Sequence, residues 1–211
     1  MKLMAISLTI LIIFILLVIN EWWWRSRKIH DEFSRKFVHI TVGSFVAFWP
    51  YFLSWNEIRI LSLMFLVVVG ISKYFKVFKA IHSVTRPTWG EVYFALAVGL
   101  VTFVTHRPVI YAAALLQMSL ADGLAAIIGT KYGAGTSYKV FGNRKSLVGS
   151  ACFLLVSYII VLSVSVFTLH IAIPWCLIIA TSAAVLENIG FKGLDNLLVP
   201  LFVAAALRLL A

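Results

Sequence analysis

Val109-Ile-Tyr-Ala-Ala-Ala-Leu-Leu-Gln117-Met-Ser-Leu-Ala-Asp122-Gly-Leu-Ala-Ala-Ile-Ile-Gly129 is an apolar run holding one carboxylate, Asp122. A bilayer core needs about 20 such residues in a helix. Similar runs recur at about 3-21, 37-55, 58-78, 91-106, 108-130, 147-169, 171-187 and 194-210. The expected fold is therefore all-α, a polytopic integral membrane protein with seven or eight transmembrane helices. The fourth run is the least regular, and Pro87 suits the first turn of its helix. Composition agrees: 62% hydrophobic and 12% charged residues over 211, with a mean hydropathy of +1.01, fit no water-soluble globule. Dominant apolar runs also exclude a disordered chain and a heptad coiled coil. The two cysteines, Cys152 and Cys176, sit in apolar segments without metal-binding spacing.

The formal charge of +10 raises nucleic acid as a partner. The cations lie instead in short stretches between apolar segments, where they orient the chain and meet lipid headgroups. With the N-terminus outside, fourteen Lys and Arg fall on inner loops and four (Lys2, Arg59, Arg107, Arg208) outside. Seven of the eight acidic residues share the inner face, Glu57 being the exception. Positive-inside topology does little to acids, so this co-segregation reflects either longer inner loops that hold most polar residues or chemistry at the cytoplasmic boundary, the latter favoured because several of these acids sit at helix ends or inside spans. The run Leu3 to Ile19 ends in Asn20-Glu21-Trp22-Trp23-Trp24 and basic residues, and reads as a retained span rather than a cleaved signal. One membrane domain, 1-211, is expected, with 1-30 an anchor span and basic loop and 31-205 the core.

An ionised carboxylate inside an apolar helix costs about 2.5–3.5 kcal/mol on the most lenient scale, so Asp122 needs compensation. Ala125, Ala126, Gly129 and Gly133 follow it at helical spacing, a small-residue stripe that suits either helix packing or a phosphate against bare backbone. Downstream, Lys139, Arg144, Lys145, Ser146 and Gly149 combine cations, hydroxyl and glycine before the next helix, as phosphate sites do. There is no GxxxxGK[ST] motif. Glu32, Arg35, Lys36 and His39 share one helical stripe, and Arg86 and Glu91 flank another helix start. Glu187, Asp195 and Asn196 place carboxylates and an amide at an inner boundary, oxygen ligands that suit Mg²⁺ held with substrate phosphates. Asp195 and Asn196 equally suit a helix cap. His30, His82, His106 and His170 lack paired spacing and read as interfacial.

Taken in order, these residues resemble the CTP-dependent lipid-alcohol kinases: dolichol kinase, phytol kinase and CTP-dependent diacylglycerol kinase. Glu32-x-x-Arg35-Lys36-x-x-His39 with Gly43 is similar to an early motif of that family, and Arg86-x-Thr88-x-Gly90-Glu91 to a second. Asp122-Gly-x-Ala125-x-x-x-Gly129-x-x-x-Gly133, leading to Lys145-Ser146-x-x-Gly149-Ser150, resembles the nucleotide-binding core. Glu187 with Asp195-Asn196-x-x-x-Pro200 resembles the C-terminal motif. Val148 and the single aspartate at 195 depart from the common pattern.

The resemblance implies a transferase that moves the γ-phosphoryl of CTP to a lipid alcohol, with Mg²⁺ as cofactor and membrane lipids around it. Asp122, Glu187, Asp195 and Asn196 are the candidate metal ligands. Arg35, Lys36, Arg86, Gly129, Gly133, Lys139, Arg144, Lys145, Ser146 and Gly149 are the nucleotide candidates. Asp122 and Lys145 are catalytic candidates, with Glu32, His39 and Glu91 as alternatives for accepting the hydroxyl proton. The Asp122 motif also resembles the membrane cytidylyltransferases that make CDP-diacylglycerol, which is the alternative reading. A small transporter ranks below both, since the charges cluster at one boundary instead of the midplane.

Overall fold

Inside a bilayer the backbone must satisfy its own polar groups, and an apolar segment does so by coiling into a helix. The computed structural model describes residues 2–27, 31–75, 89–141 and 143–211. Among them eight α-helices follow one another: α1 (Lys2–Arg27), α2 (Asp31–Ala47), α3 (Trp55–Phe75), α4 (Gly90–Val104), α5 (Pro108–Tyr132), α6 (Leu147–Leu169), α7 (Ile173–Ile189) and α8 (Asp195–Leu210). Between α5 and α6 a two-stranded antiparallel hairpin, β1 (Ser137–Val140) with β2 (Asn143–Ser146), replaces the loop expected there.

The described residues are almost entirely helical, and their apolar helices suggest a membrane protein. Among the described residues, Met4–Trp23, Pro108–Tyr132 and Leu147–Leu169 are long and apolar enough to cross a bilayer, and α4 and α7 are shorter apolar helices. That is fewer than the seven or eight crossings read from apolar runs. Among the remaining helices, α2 and α8 are 17 and 16 residues long, short of the about 20 that a bilayer core needs. Two boundaries also move. The second helix begins at Asp31 and ends at Ala47, because Pro50 lies in a separate 3-10 turn, Trp49–Tyr51. The fourth begins at Gly90, and Pro87 lies outside the described residues.

α5 is the central helix: 61% of its span is buried, against 11% for α1 and 22% for α6. It packs against α2, α6 and α8, while α3 pairs with α4, and α4 in turn with α8. Its Gln117–Ala121 turn is π-helical, an irregularity found often at functional sites, and it ends at Asp122. Lipid tails give no hydrophobic reward for helix pairing, so small residues and polar contacts to neighbouring backbone hold the bundle. Ala95, Ala97, Ala113, Ala114, Ala183 and Ala204 are buried at these contacts. Tyr111 donates to the Val98 carbonyl at 3.1 Å, Ser62 to Ala95 at 2.9 Å and Gln117 to Ser157 at 3.2 Å.

The α2–α5 contact is close because two of its positions are glycine. A Cβ on Gly43 would lie 2.4 Å from Ser119 Cβ, and one on Gly123 would lie 2.2 Å from Ile40 Cγ1. Those two bare positions let α2 lie directly on the π-helical turn. Gly43→Ala is therefore expected to lower the thermal midpoint in detergent, by an overpacking cost of about 1–3 kcal/mol. Adding Ser119→Gly removes the opposing atom and is expected to restore part of the loss in a double-mutant cycle. Independent, additive effects would show that the helices are not in this contact.

Candidate active site

Four helix ends and the hairpin converge on Asp122. The π-helical turn delivers it at the head of the last turns of α5, where it is buried. From α2, which the glycines bring close, Lys36 Nζ reaches Asp122 Oδ2 at 2.5 Å, with both side chains buried. One turn further along α2, His39 Nε2 lies 3.7 Å from the same oxygen and 2.8 Å from the Met118 carbonyl. A carbonyl can only accept, so the Met118 contact requires Nε2 to carry a proton.

Glu187 comes from the last turn of α7 and is also buried. Lys145 donates to its carboxylate and, at 3.0 Å, to its backbone carbonyl. Burial works against the Lys145 ammonium, yet the carboxylates of Glu187, Asp195 and Asp122 outweigh it and hold its pKa above the ordinary lysine value. Lys145 is therefore charged at neutral pH.

Asp195 opens α8 after a tight turn. Lys192 and Gly193 take positive φ there, and Gly193 lies so close to Gly90 that a Cβ would stand 2.6 Å from the Gly90 Cα. Trp89 N–H donates to the Lys192 carbonyl at 3.0 Å, and Asn196 donates to the Gly90 carbonyl at 3.1 Å. The α7–α8 turn is thus fastened to the start of α4. Folded this way, oxygens of Asp122, Glu187 and Asp195 all lie within 4.8 Å of one another. Three carboxylates and no nitrogen or sulfur donors make a hard, oxygen-rich set of the kind that holds Mg²⁺.

Other candidates separate. Cross-strand register pairs Tyr138 with Lys145 and Lys139 with Arg144, so alternation along the strands puts these pairs on opposite faces. Lys139 and Arg144 are exposed, and Arg144 donates to Ser137 Oγ at 3.0 Å, away from the carboxylates. The hairpin therefore divides the basic cluster read from the sequence. The glycine stripe is taken up by packing. A Cβ on Gly129 would meet Gly149 Cα at 3.1 Å, and one on Gly133 would meet Ser146 Oγ at 2.3 Å. Ser146 caps α6, accepting from Gly149 N–H at 3.1 Å. The stripe thus serves close α5–α6 packing. Arg35, His39, Glu91 and Asn196 line a cavity beside the carboxylates. Arg86 and the side chain of Glu32 lie outside the described residues.

Sequence reasoning overlooked the clamp on the hairpin. The Tyr138 hydroxyl donates to Asn188 Oδ1 and lies 2.6 Å from Ser150 Oγ, tying β1 to α6 and α7 one residue beyond Glu187. The only local signal was hairpin alternation, with Tyr138 and Lys145 in register. The Gly90–Gly193 approach spans 103 residues and leaves no local signal.

No protein-family model matches this chain, and no solved structure does. A phytol kinase from Synechocystis sp. is 31% identical to it over 179 aligned residues, which cover 81% of this chain and 76% of that protein. The chain belongs to the phytol kinase family. A probable chloroplastic phytol kinase from Zea mays is also 31% identical, over 140 residues covering 59% of this chain and 45% of the maize protein. Membership in the phytol kinase family places the chain among kinases of lipid alcohols.

In this family member, the Lys145–Glu187 pair generates a stability test. Removing one partner of a buried pair typically costs about 3–5 kcal/mol, because the other charge is left bare. Lys145→Met is expected to lower the thermal midpoint more than Lys145→Met combined with Glu187→Leu. The reverse order would mean that the two side chains do not pair.

Proposed function

We propose that this chain transfers the γ-phosphoryl group of CTP to the hydroxyl of a prenol-type lipid alcohol at the cytoplasmic boundary of the membrane. The observation that carries this reading is the meeting of Asp122, Glu187 and Asp195, from three helices, with Lys36 of α2 and Lys145 of the hairpin. Three carboxylates against two ammonium groups leave a net negative charge, which suits a divalent cation that also binds phosphate oxygens. Asp122, Glu187 and Asp195 would hold Mg²⁺, whose chemistry is to neutralise and orient the triphosphate. The Asn196 amide nitrogen is engaged with Gly90, which fixes the start of α8, and a metal would meet the amide through its Oδ1.

Phosphoryl transfer needs in-line positioning and charge neutralisation more than covalent help from the protein. Among the described residues, Lys36 and Lys145 are ammonium groups within reach of phosphates bound beside these carboxylates. In the reaction the bond between the γ-phosphorus and its bridging oxygen breaks, a bond from the alcohol oxygen to that phosphorus forms, and CDP leaves. The hydroxyl proton passes to a protein base; among the described side chains, His39 and Glu91 stand where the cavity approaches the carboxylates. The cytidine preference and the cytoplasmic placement rest on the motif resemblance and on the fourteen-to-four charge bias.

The test uses purified protein in mixed micelles with Mg²⁺, phytol, other prenols or diacylglycerol, and CTP labelled at the γ or the α phosphate. Label from the γ position alone is expected in the lipid, CTP is expected to outcompete ATP, and EDTA is expected to stop the reaction. Label from the α position would make the chain a cytidylyltransferase instead. Asp122→Asn is expected to abolish transfer while leaving membrane insertion intact; full activity in that variant would remove Asp122 from the site.

A further inference from the structure

A cavity of about 80 Å³ lies between α1, α2, α3, α4 and the start of α8. Its two ends differ in chemistry. Arg35, His39, Glu91 and Asn196 form the inner end. That end adjoins the carboxylates directly, since His39 is 3.7 Å from Asp122 and Asn196 follows Asp195. The rest of the wall is hydrocarbon: Leu17 from α1, Val42 from α2, and Phe65, Val68 and Val69 from α3.

The outer end reaches the lipid-facing surface. Val68 lines the cavity and is also 51% exposed, next to Val67 and Ile71 on the same exposed flank of α3. Facing it, α1 is the least buried of the three long apolar helices, with Leu11, Phe14 and Val18 exposed around the residues that line the cavity. A cavity with a charged inner end beside phosphoryl-transfer groups and an apolar mouth open to the bilayer matches one kind of molecule. It suits a hydroxyl group on a hydrocarbon chain too long to fit wholly inside.

We infer that this cavity is the acceptor seat: the lipid alcohol enters sideways from the bilayer between α1 and α3, with its hydroxyl at the Arg35–His39–Glu91 end and its chain running out past Val42 and Val68. This rests on the kinase reading above. Moving a chain from lipid into an apolar groove carries no hydrophobic reward. The groove therefore selects alcohols by shape, and α1 and α3 are specificity-determining elements.

Val68→Trp narrows the mouth at a half-exposed position and spares the core. It is expected to raise KM for phytol or a longer prenol by about 10-fold or more, the range set by a mismatch in an apolar pocket. KM for CTP is expected to stay within twofold. A prenol of one isoprene unit, which needs only the inner end, is expected to keep its kcat/KM. Equal effects on both alcohols, or on CTP, overturn the assignment.

A readout independent of turnover is a prenol carrying a photoactivatable diazirine at mid-chain. Irradiated with wild-type protein, it is expected to label peptides from α1 and α3, and excess phytol is expected to prevent the labelling. Label confined to α6 or α7, or label in α1 and α3 that phytol fails to displace, overturns the seat while γ-phosphate transfer still upholds the kinase reading. Wild-type protein that phosphorylates no alcohol overturns that reading itself.

Discussion

Three carboxylates within 4.8 Å of one another, two at helix ends and one on the central helix of an apolar bundle, set the terms for everything around them. Such a cluster repels itself strongly where the dielectric is low. The fold answers with Lys36 against Asp122 and Lys145 against Glu187, each from an element distant in sequence from its partner. Those two requirements explain features that would otherwise look incidental. Gly43 and Gly123 are bare so that α2 can carry Lys36 close enough, the hairpin exists to turn Lys145 inward, and the Gly90–Gly193 approach lets α8 present Asp195.

Much of this was legible in the chain itself. Asp122, Glu187 and Asp195 stand out because a charge in or beside an apolar segment is costly and asks for a reason. Lys36 and His39 share a helical stripe that periodicity alone reveals, and both do reach Asp122. The helix count among the described residues also follows the apolar runs.

What remained hidden depends on parity and on distant contacts. Lys139, Arg144 and Lys145 read as one basic cluster when taken as a loop, and only strand pairing separates Lys145 from the other two. The stripe through Gly129 and Gly133 admits two uses, and which applies depends on where Ser146 and Gly149 arrive from the next helix. The second helix starts before the apolar run 37-55, because the polar turns from Asp31 that carry Glu32, Arg35 and Lys36 belong to the same helix. The cavity has no sequence signature, since its wall draws on five helices.

The hairpin also limits how this chain can vary. Tyr138 and Lys145 face one another across β1 and β2, and the clamp on Asn188 and the pair with Glu187 both depend on that face. Lengthening or shortening either strand by one residue would exchange its two faces, sending an outward cation toward Glu187 and Lys145 toward solvent. Length changes in steps of two keep the faces in place. Natural variation in this segment should therefore come as substitutions at the turn or as paired insertions, never as a single added residue between Tyr138 and Lys145.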